Sequence, residues 1–427
     1  MMKLNRKIRS VFLFLFIINS VSVFSYGSIL NISGYYKSFF TLLLNKSVKS
    51  PDGMVDSPEF GLVTNSFRFK SSLKILSDIK LNIAYDIFPS ITYNTNDSQS
   101  FLLDSFQPSS YRIGDLKGIL YPGGSVEEGN FTLNHNLDRF SLSIRSDFAD
   151  FFIGRQSISW GSGRVFNPTD ILAPYNFNQL DKEERIGIDA VRMRIPVGEM
   201  NEIDAGYVFG DKFEFSKSAF FIRGRLNVLK SDISLLAVGF RENLLLGFDI
   251  SSSIGGAGVW VESAFVITGF FLNEPEKSEE NYFRISAGAD YNFRGNLYIF
   301  VEYYFNSAGS SLPEDYIGLF NTIPFKEGNV YQMGKNYVSI GLNKQLHPLV
   351  GLNSIFIYNI GDNSLIFSPV IEYNISENIY ISLGGFAGFG KCPEIKSVSN
   401  ENISNAILRS EFGSYPTIIY SSFRIYF

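Results

Sequence analysis

Hydrophobic and polar residues alternate along most of the chain, which is the pattern of β-strands with one apolar face. Leu297, Ile299 and Val301 share one parity, for example, whereas Glu302 falls on the other. The pattern predicts about 18 strands, or 16 if one pair merges. They lie near 29–44, 61–76, 79–92, 131–146, 149–157, 187–196, 201–211, 214–228, 231–242, 244–251, 256–267, 281–293, 296–306, 335–345, 350–360, 364–374, 377–388 and 415–427.

The connections between these strands fall into two alternating sets. Every second connection is a short turn, at 77–78, 147–148, 197–200, 229–230, 252–255, 294–295, 346–349 and 375–376. The other set contains three short connections, near 212, 243 and 362, and the long ones at 45–60, 93–130, 158–186, 268–280, 307–334 and 389–414. Short periplasmic turns and long extracellular loops are typical of outer-membrane barrels. The sequence therefore predicts an all-β fold, a single transmembrane antiparallel β-barrel with both termini in the periplasm.

The two ends of the chain indicate export to the cell outer membrane. Residues 1–25 combine a basic start, an apolar run at 11–18 and small residues before the mature chain, which predicts a secretory signal peptide. Residues 26–427 then form the barrel, whose outer face contacts membrane lipid. The terminal Phe427 resembles the end signal of bacterial outer-membrane proteins, which implies the barrel-assembly machinery as a partner.

Composition excludes several classes of protein. The 427 residues are 45% hydrophobic and 16% aromatic, too apolar for a disordered chain, and their net charge of −5 argues against nucleic-acid binding. One Cys (Cys392) and two His (His135 and His347) exclude a disulfide framework and a Cys/His zinc cluster. Neither His has an obvious nucleophile and acid nearby, so the sequence predicts no enzyme, no metal site and no cofactor.

One segment carries a distinct motif. Residues 153–170 read Ile-Gly-Arg-Gln-Ser-Ile-Ser-Trp-Gly-Ser-Gly-Arg-Val-Phe-Asn-Pro-Thr-Asp. The Gly-Arg-Gln, Trp-Gly and Asn-Pro-x-Asp elements resemble Gram-negative outer-membrane porin-like barrels, related to the alginate-export type. The resemblance implies that the loop at about 158–186 folds inward and narrows the pore. The candidate constriction residues are Trp160, Arg164, Asn167, Asp170, Asp181, Glu183 and Glu184.

Strand parity places a set of arginines in the lumen. The candidate basic wall consists of Arg145, Arg192, Arg194, Arg223 and Arg225. We expect the acidic residues of the loop, with Asp189, to face this wall, which would set up a transverse field that favours anions along the basic side. In the alternative interpretation, the arginines form ordinary lumen ion pairs with Glu202, Asp204, Asp290, Glu302 and Glu372.

These observations predict a porin-like channel for passive or substrate-preferring diffusion of small hydrophilic solutes, anions among them. One alternative is a plugged, substrate-specific exporter or transporter of hydrophobic compounds, which the aromatic residues on the polar faces favour. Another is a structural or adhesive surface barrel whose long loops bind partners. The sequence indicates neither the solute nor the oligomeric state.

Overall fold

The computed structural model describes residues 29–51, 53–55, 59–93, 111–116, 118–121, 131–174, 180–272, 280–395 and 406–427. These residues form 23 strands, numbered here in chain order, of which 18 build one antiparallel barrel. The barrel strands are β1 (Leu30–Leu44), β4 (Phe60–Leu76), β5 (Ile79–Tyr93), β7 (Phe131–Arg145), β8 (Asp150–Gln156), β9 (Ile188–Val197), β10 (Asn201–Val208), β11 (Ala219–Val228), β12 (Ser231–Phe240), β13 (Asn243–Ile254), β14 (Ala257–Ile267), β15 (Tyr282–Phe293), β16 (Leu297–Asn306), β17 (Asn336–His347), β18 (Val350–Asn359), β19 (Ser364–Ser376), β20 (Ile379–Phe389) and β23 (Thr417–Tyr426). The signal peptide expected at 1–25 lies outside the described residues.

Pairing between the first and last strands closes the barrel. Each barrel strand pairs with the next one along the chain, and β1 pairs with both β4 and β23. The β1–β23 register runs from Tyr35 opposite Tyr426 to Leu44 opposite Thr417. Closure leaves no unpaired edge. The predicted all-β antiparallel barrel of 18 strands is confirmed.

The two faces of the barrel wall differ as the alternation predicts, because successive Cβ atoms point to opposite sides of a strand. On β16, Val301 and Tyr303 are exposed on the outside, whereas Glu302 and Tyr304 are buried inside. The outward face forms an apolar belt around the ring. Its exposed members include Phe40, Phe69, Phe140, Ile153, Val191, Ile222, Leu235, Leu246, Phe265, Ile340, Ile371, Leu383 and Ile419.

Connections at one end of the barrel are short. They lie at 77–78, 146–149, 198–200, 229–230, 255–256, 294–296, 348–349 and 377–378, close to the predicted turns. Leu229 and Lys230 both have positive φ, at 52° and 65°, as a tight type I′ hairpin requires. We call this end the short-turn end and the opposite one the long-loop end. At the long-loop end, the connection that was expected to be short, near 212, spans residues 209–218. The Gly210 N–H donates to Ser218 Oγ (3.0 Å), and the pairing of β10 with β11 ends before this hydrogen bond.

Smaller elements cover the long-loop end. Strands β2 (Val48–Ser50), β3 (Gly53–Val55), β21 (Glu394–Ile395) and β22 (Ala406–Ile407) form a second sheet, and β6 (Ile119–Tyr121) pairs with β7. The helical segments are the one-turn α-helices Tyr316–Leu319 and Ile323–Lys326 and the 3₁₀ turns Asp211–Phe213, Phe215–Lys217, Pro313–Asp315 and Phe412–Ser414. In the part of the chain that the structure describes, no helix has the length and apolar character needed to cross a membrane.

Candidate functional site

The described parts of the connection between β8 and β9, residues 157–174 and 180–187, turn into the barrel and contact opposite sides of its inner wall. We call residues 158–170 the first limb and residues 180–187 the second limb. The first limb contacts the inner face of β11 and β13–β17, and the second contacts β1, β4, β7 and β23 on the other side. The described residues of the loop therefore lie inside the barrel, and their role as a constriction stays a prediction.

Apolar residues hold the start of the first limb against the wall. Ile158 and Trp160 are buried in a cluster with inward residues of β11–β13. The Trp160 indole meets the Phe221 ring edge-on, with 4.8 Å between ring centroids. Trp160, expected at the constriction, is therefore covered by the wall and does not line the open lumen.

A carboxylate on β14 anchors the middle of the first limb. Glu262 accepts hydrogen bonds from the backbone N–H groups of Ser162 (3.0 Å), Gly163 (3.1 Å) and Thr169 (2.8 Å). The Thr169 hydroxyl donates a further bond at 2.7 Å. Gly161 precedes these donors at φ +105°, and a Cβ there would lie 2.7 Å from both Glu262 oxygens. Only a glycine therefore fits the approach to this carboxylate.

A second carboxylate, on β16, anchors the next three residues. Glu302 accepts from the backbone N–H groups of Arg164 (2.6 Å), Val165 (3.2 Å) and Phe166 (2.9 Å). The Trp260 indole donates to the same carboxylate at 3.2 Å. Main-chain amides of five consecutive residues, 162–166, thus point at two wall carboxylates.

Arg164 is the charged residue of the first limb that faces the lumen. Its side chain is 45% exposed, pairs with Asp290 on β15 at 2.7 Å, and lies over the Trp260 ring at 4.9 Å. Asn167, the neighbouring candidate, accepts the N–H of Asp170 through its backbone carbonyl at 3.2 Å and shapes the turn. Of these candidates, Arg164 keeps the charged side chain that is partly exposed to the lumen.

An ion pair joins the two limbs to each other. Asp170 in the first limb is buried and pairs with Arg185 in the second, and Arg185 also donates to the carbonyl of Ala173 at 3.0 Å. Burial raises the pKa of Asp170 to about 6, although the Arg185 guanidinium opposes the shift. Asp170 therefore links the two limbs through a buried ion pair, and its charge is not exposed to the lumen.

Acidic side chains hold the second limb to a cluster of cations on the wall. Lys37 on β1 is fully buried and lies 2.8 Å from both Asp181 Oδ2 and Glu183 Oε2. Arg424 on β23 lies 3.2 Å from Glu183, and Lys70 on β4 pairs with Glu184. These three carboxylates keep 26–39% of their side-chain surface exposed.

A β-bulge helps to seat the end of the second limb. Ala84 pairs with Arg139 and Tyr85 with Leu137, so Asp138 is the extra residue on β7. Its buried carboxylate pairs with Arg68 and accepts the N–H of Gly187 at 2.8 Å. The bulge thus directs a carboxylate to the point where the loop returns to β9.

The candidate basic wall is neutralised in part by its own neighbours. Arg192 pairs with Asp204 on β10 (2.5 Å), and Glu202 lies 3.7 Å from Arg194 and 3.9 Å from Arg223. Two further arginines, Arg225 and Arg145, complete the candidate set.

These last two arginines differ in their surroundings. Within the described part of the chain, Arg225 forms no ion pair, although it stands opposite Glu202 in the β10–β11 register. The side chain of Arg145 is 77% exposed at the short-turn end, 3.5 Å from Asp150. The alternative interpretation, internal ion pairing, therefore describes Arg192, Arg194 and Arg223, and the excess positive charge lies near Glu202.

The acidic loop residues do not face this wall, contrary to the expectation from the sequence. Asp181, Glu183 and Glu184 contact the separate cation cluster on β1, β4 and β23, while Asp189 pairs with Arg155 on β8 at 2.7 Å. Strand parity shows which side chains point inward, but it does not show which part of the circumference a long loop reaches.

Sequence reasoning missed two of the residues that hold the loop. Glu262 was not among the candidates, and Glu302 was considered only as a partner for arginine. The available signal was a lone carboxylate at an inward position of a strand that is otherwise apolar or aromatic, as in Val-Trp-Val-Glu-Ser-Ala-Phe at 259–265. Lys37 gives a similar signal, because it is a lone charged residue on β1, between Tyr36 and Ser38.

A second buried network lies in the loops at the long-loop end. Glu411 accepts from the Tyr337 hydroxyl, from Asn359 Nδ2 at 2.8 Å and from the backbone N–H of Met333 at 3.2 Å. Burial raises the pKa of Glu411 to about 7. The network ties residues 331–337 to residues 408–416 above the barrel wall. Across the described residues, no group of three or more His, Cys, Asp or Glu side chains is arranged to hold a metal ion.

The barrel resembles several solved bacterial structures in fold. OccAB1 of Acinetobacter baumannii shares 9% identity at a TM-score of 0.53, covering 95% of this chain and 98% of that one. The outer membrane protein OprD of Pseudomonas aeruginosa shares 8% identity at a TM-score of 0.51, covering 96% and 97%. OccK9 (OpdG) of Pseudomonas aeruginosa shares 8% identity at 0.52, covering 93% and 98%. At such identities the likeness shows the fold alone. No protein-family model and no curated protein matches the sequence.

Proposed function

We propose that this protein is an outer-membrane channel through which small hydrophilic solutes diffuse passively. The observation that carries the proposal is a closed barrel with an apolar outer belt and inward charges, such as Arg164 and Lys70, that keep part of their surface exposed. Hydrocarbon outside and water inside match these two surfaces. A barrel of 18 strands has room for an aqueous channel. Passive flow requires neither catalytic residues nor a cofactor.

The rest of the proposal follows from the sequence and the fold together. The signal peptide directs export, the short-turn end and both termini lie in the periplasm, and Phe427 engages the barrel-assembly machinery. The likeness in fold to the outer membrane protein OprD supports this location. The proposal also includes the likeness of the motif at residues 153–170 to the alginate-export type. In this proposal, the loop between β8 and β9 forms the constriction.

The charges along the wall favour anions. Four arginines, Arg192, Arg194, Arg223 and Arg225, stand among three carboxylates, Glu202, Asp204 and Asp249, so this part of the wall keeps a small net positive charge. Lumen charges set ion preference in pores by attracting counter-ions into the passage. Because Asp204 neutralises Arg192, we expect a smaller preference than the five arginines alone would give.

Planar-bilayer recordings of the protein purified from membranes test the proposal. We expect steady ohmic steps and a reversal potential under a salt gradient that indicates anion preference. The triple variant Arg194→Gln, Arg223→Gln, Arg225→Gln should abolish the preference while the steps remain. Cation preference in the unmodified protein would contradict the role of the arginines. Absence of steps from a demonstrably folded barrel would contradict the channel.

A second candidate function is a substrate-specific transporter with a closed lumen. A specific observation favours it, because Tyr111, Ile171, Leu172, Tyr282 and Val330 pack into one buried apolar cluster inside the long-loop end. Such a cluster covers part of the cross-section. This candidate predicts little steady conductance from the same folded protein, so the recordings separate the two functions.

A further inference from the structure

Two carboxylates are buried in the barrel wall without a cationic partner. Glu262 and Glu302 both have 0% exposed surface, and within the described residues neither lies at ion-pair distance from a Lys or Arg side chain. A buried charge is costly unless other groups compensate it. Here the compensating groups belong to the loop, whose main-chain amides supply six of the hydrogen bonds.

The backbone of the first limb is shaped to surround these two anions. Successive backbone N–H groups that converge on one point form an anion-binding concavity. Gly161 and Gly163 allow this path, since a Cβ on Gly163 would lie 2.0 Å from the Phe166 carbonyl oxygen. Six of the seven loop donors to these carboxylates are main-chain amides, and the seventh is the Thr169 hydroxyl. The location of the limb is therefore determined by the wall.

Glutamine cannot take the place of either carboxylate. Each carboxylate receives hydrogen bonds on both oxygens, whereas the NH₂ group of glutamine is a donor and would face backbone N–H groups. Buried donors that lose their acceptor destabilise the docked state of the limb. A single Glu→Gln change should therefore release several hydrogen bonds of the first limb together.

We propose that Glu262 and Glu302 are positioning residues that set the aperture of the pore. They do so by fixing the first limb, and with it the lumen-facing Arg164, against β14–β16. The inference rests on the proposed channel function and adds the physical determinant of its size limit. Neither carboxylate needs to touch a solute, because both act through the loop.

The test uses Glu262→Gln, Glu302→Gln and the double variant, with single-channel conductance and liposome swelling in sugars of increasing size as readouts. We expect a conductance rise of about twofold or more in the double variant, together with entry of larger sugars, because the limb no longer narrows the passage. Heat-modifiable electrophoretic mobility shows whether each barrel has folded. Should the double variant fail to fold, each single variant, which keeps one anchor, provides the same measurement.

A disulfide provides a control that distinguishes the positioning of the limb from a general effect on barrel stability. Ser162 Oγ donates to Asp249 on β13, so Ser162→Cys and Asp249→Cys, in a Cys392→Ser background, bring two thiols to this contact, where oxidation or a short bis-thiol cross-linker joins the limb to the wall. Oxidation should restore low conductance in the Glu262→Gln, Glu302→Gln protein, and reduction should raise it again. The same cysteine pair with both glutamates intact should be insensitive to reductant.

The outcomes separate this inference from the channel function itself. Folded variants that conduct like the unmodified protein overturn the positioning role and leave the channel standing. An unmodified protein that is silent beside a conducting double variant supports the positioning role and overturns a pore that is open at rest. Silence from every folded variant overturns both.

Discussion

The two limbs of the loop are attached to the barrel by opposite arrangements of charge. In the first limb, wall carboxylates Glu262 and Glu302 accept hydrogen bonds from the main chain of the loop. In the second, the carboxylates belong to the loop and the cations, such as Lys37, belong to the wall. The two carboxylates of the first limb's contacts are fully buried, whereas the carboxylates of the second limb keep 26–39% of their side-chain surface exposed.

This difference indicates what determines the stability of each limb's attachment. Main-chain donors cannot be changed by side-chain substitution, so the first limb depends on backbone shape and on its two acceptors. Partly exposed ion pairs are weakened by solvent and by salt, so the second limb depends on ionic conditions. The loop thus combines a fixed half with a half that responds to its surroundings.

The largest effect should come from the backbone of the first limb. In Gly163→Ala the new Cβ would lie 2.0 Å from the Phe166 oxygen, and overpacking of this kind costs about 1–3 kcal/mol. We expect the limb to leave both carboxylates and single-channel conductance to rise. Gly114→Ala, whose Cβ would meet nothing within 4 Å, is the matched control. Equal conductance in the two variants would contradict the role assigned to the backbone.

A smaller effect should follow from removal of the central cation of the second limb. Lys37→Met leaves Asp181 and Glu183 without their buried partner. Loss of one partner of a buried pair costs about 3–5 kcal/mol, which partial exposure of the carboxylates reduces here to roughly 1–2 kcal/mol. We expect noisier open-channel current at unchanged mean conductance. Lys49→Met, in the small sheet outside the barrel, should leave the noise unaltered, and equal noise in both would refute the assignment.

Acid should affect the two halves in opposite directions. Burial raises the pKa of Asp170 from 3.8 to about 6. The docked state of the first limb therefore becomes more stable as the pH falls through about 6, and this contribution is complete below pH 3.8. It is lost again as the pH rises through about 6. Burial would raise the pKa of Glu183, but hydrogen bonds from Lys37 and Tyr426 lower it below 4.5, so its contribution is present above pH 4.5 and lost as pH falls further.

Open-channel current noise, recorded from about pH 7 to about pH 3.5, measures both effects, because this interval covers the titration of both carboxyl groups. We expect noise to fall first and to rise again in the most acidic range. Asp170→Asn should remove the first change, and Glu183→Gln the second. A single monotonic change that survives both substitutions would be inconsistent with the opposite shifts.

The smallest effect should be that of salt on local exchange. Concentrated NaCl screens the partly exposed ion pairs of the second limb and leaves the buried bonds of the first limb unaffected. Amide hydrogen exchange should therefore accelerate at residues 181–185 and stay constant at 162–166. Equal acceleration in both stretches would remove the distinction between the limbs.

The sequence predicted the wall of the barrel better than the interior. Alternation and turn spacing depend on neighbouring residues, and they placed 18 strands and nearly all turns close to their observed bounds. The connection at 209–218 was missed because the Gly210–Ser218 hydrogen bond ends a ladder whose hydrophobic pattern continues.

The site was predicted only in part, for a physical reason. Motif residues such as Arg164 were found because glycines and prolines mark where the chain leaves the wall. The partners of the second limb were not found, because Lys37 lies 144 residues from Asp181 in sequence and meets it only through closure of the ring. Nor can alternation distinguish a carboxylate that pairs with arginine from one, such as Glu262, that receives amides.

The attachment of Glu183 has a consequence for the order of assembly. This residue contacts Lys37 on the first strand and Arg424 and Tyr426 on the last, so it spans the line along which the barrel closes. The anchors on β14 and β16 are available as soon as those strands have paired. The second limb obtains its full set of partners only after the C-terminal strand has paired with β1, so we expect this limb to dock after the first.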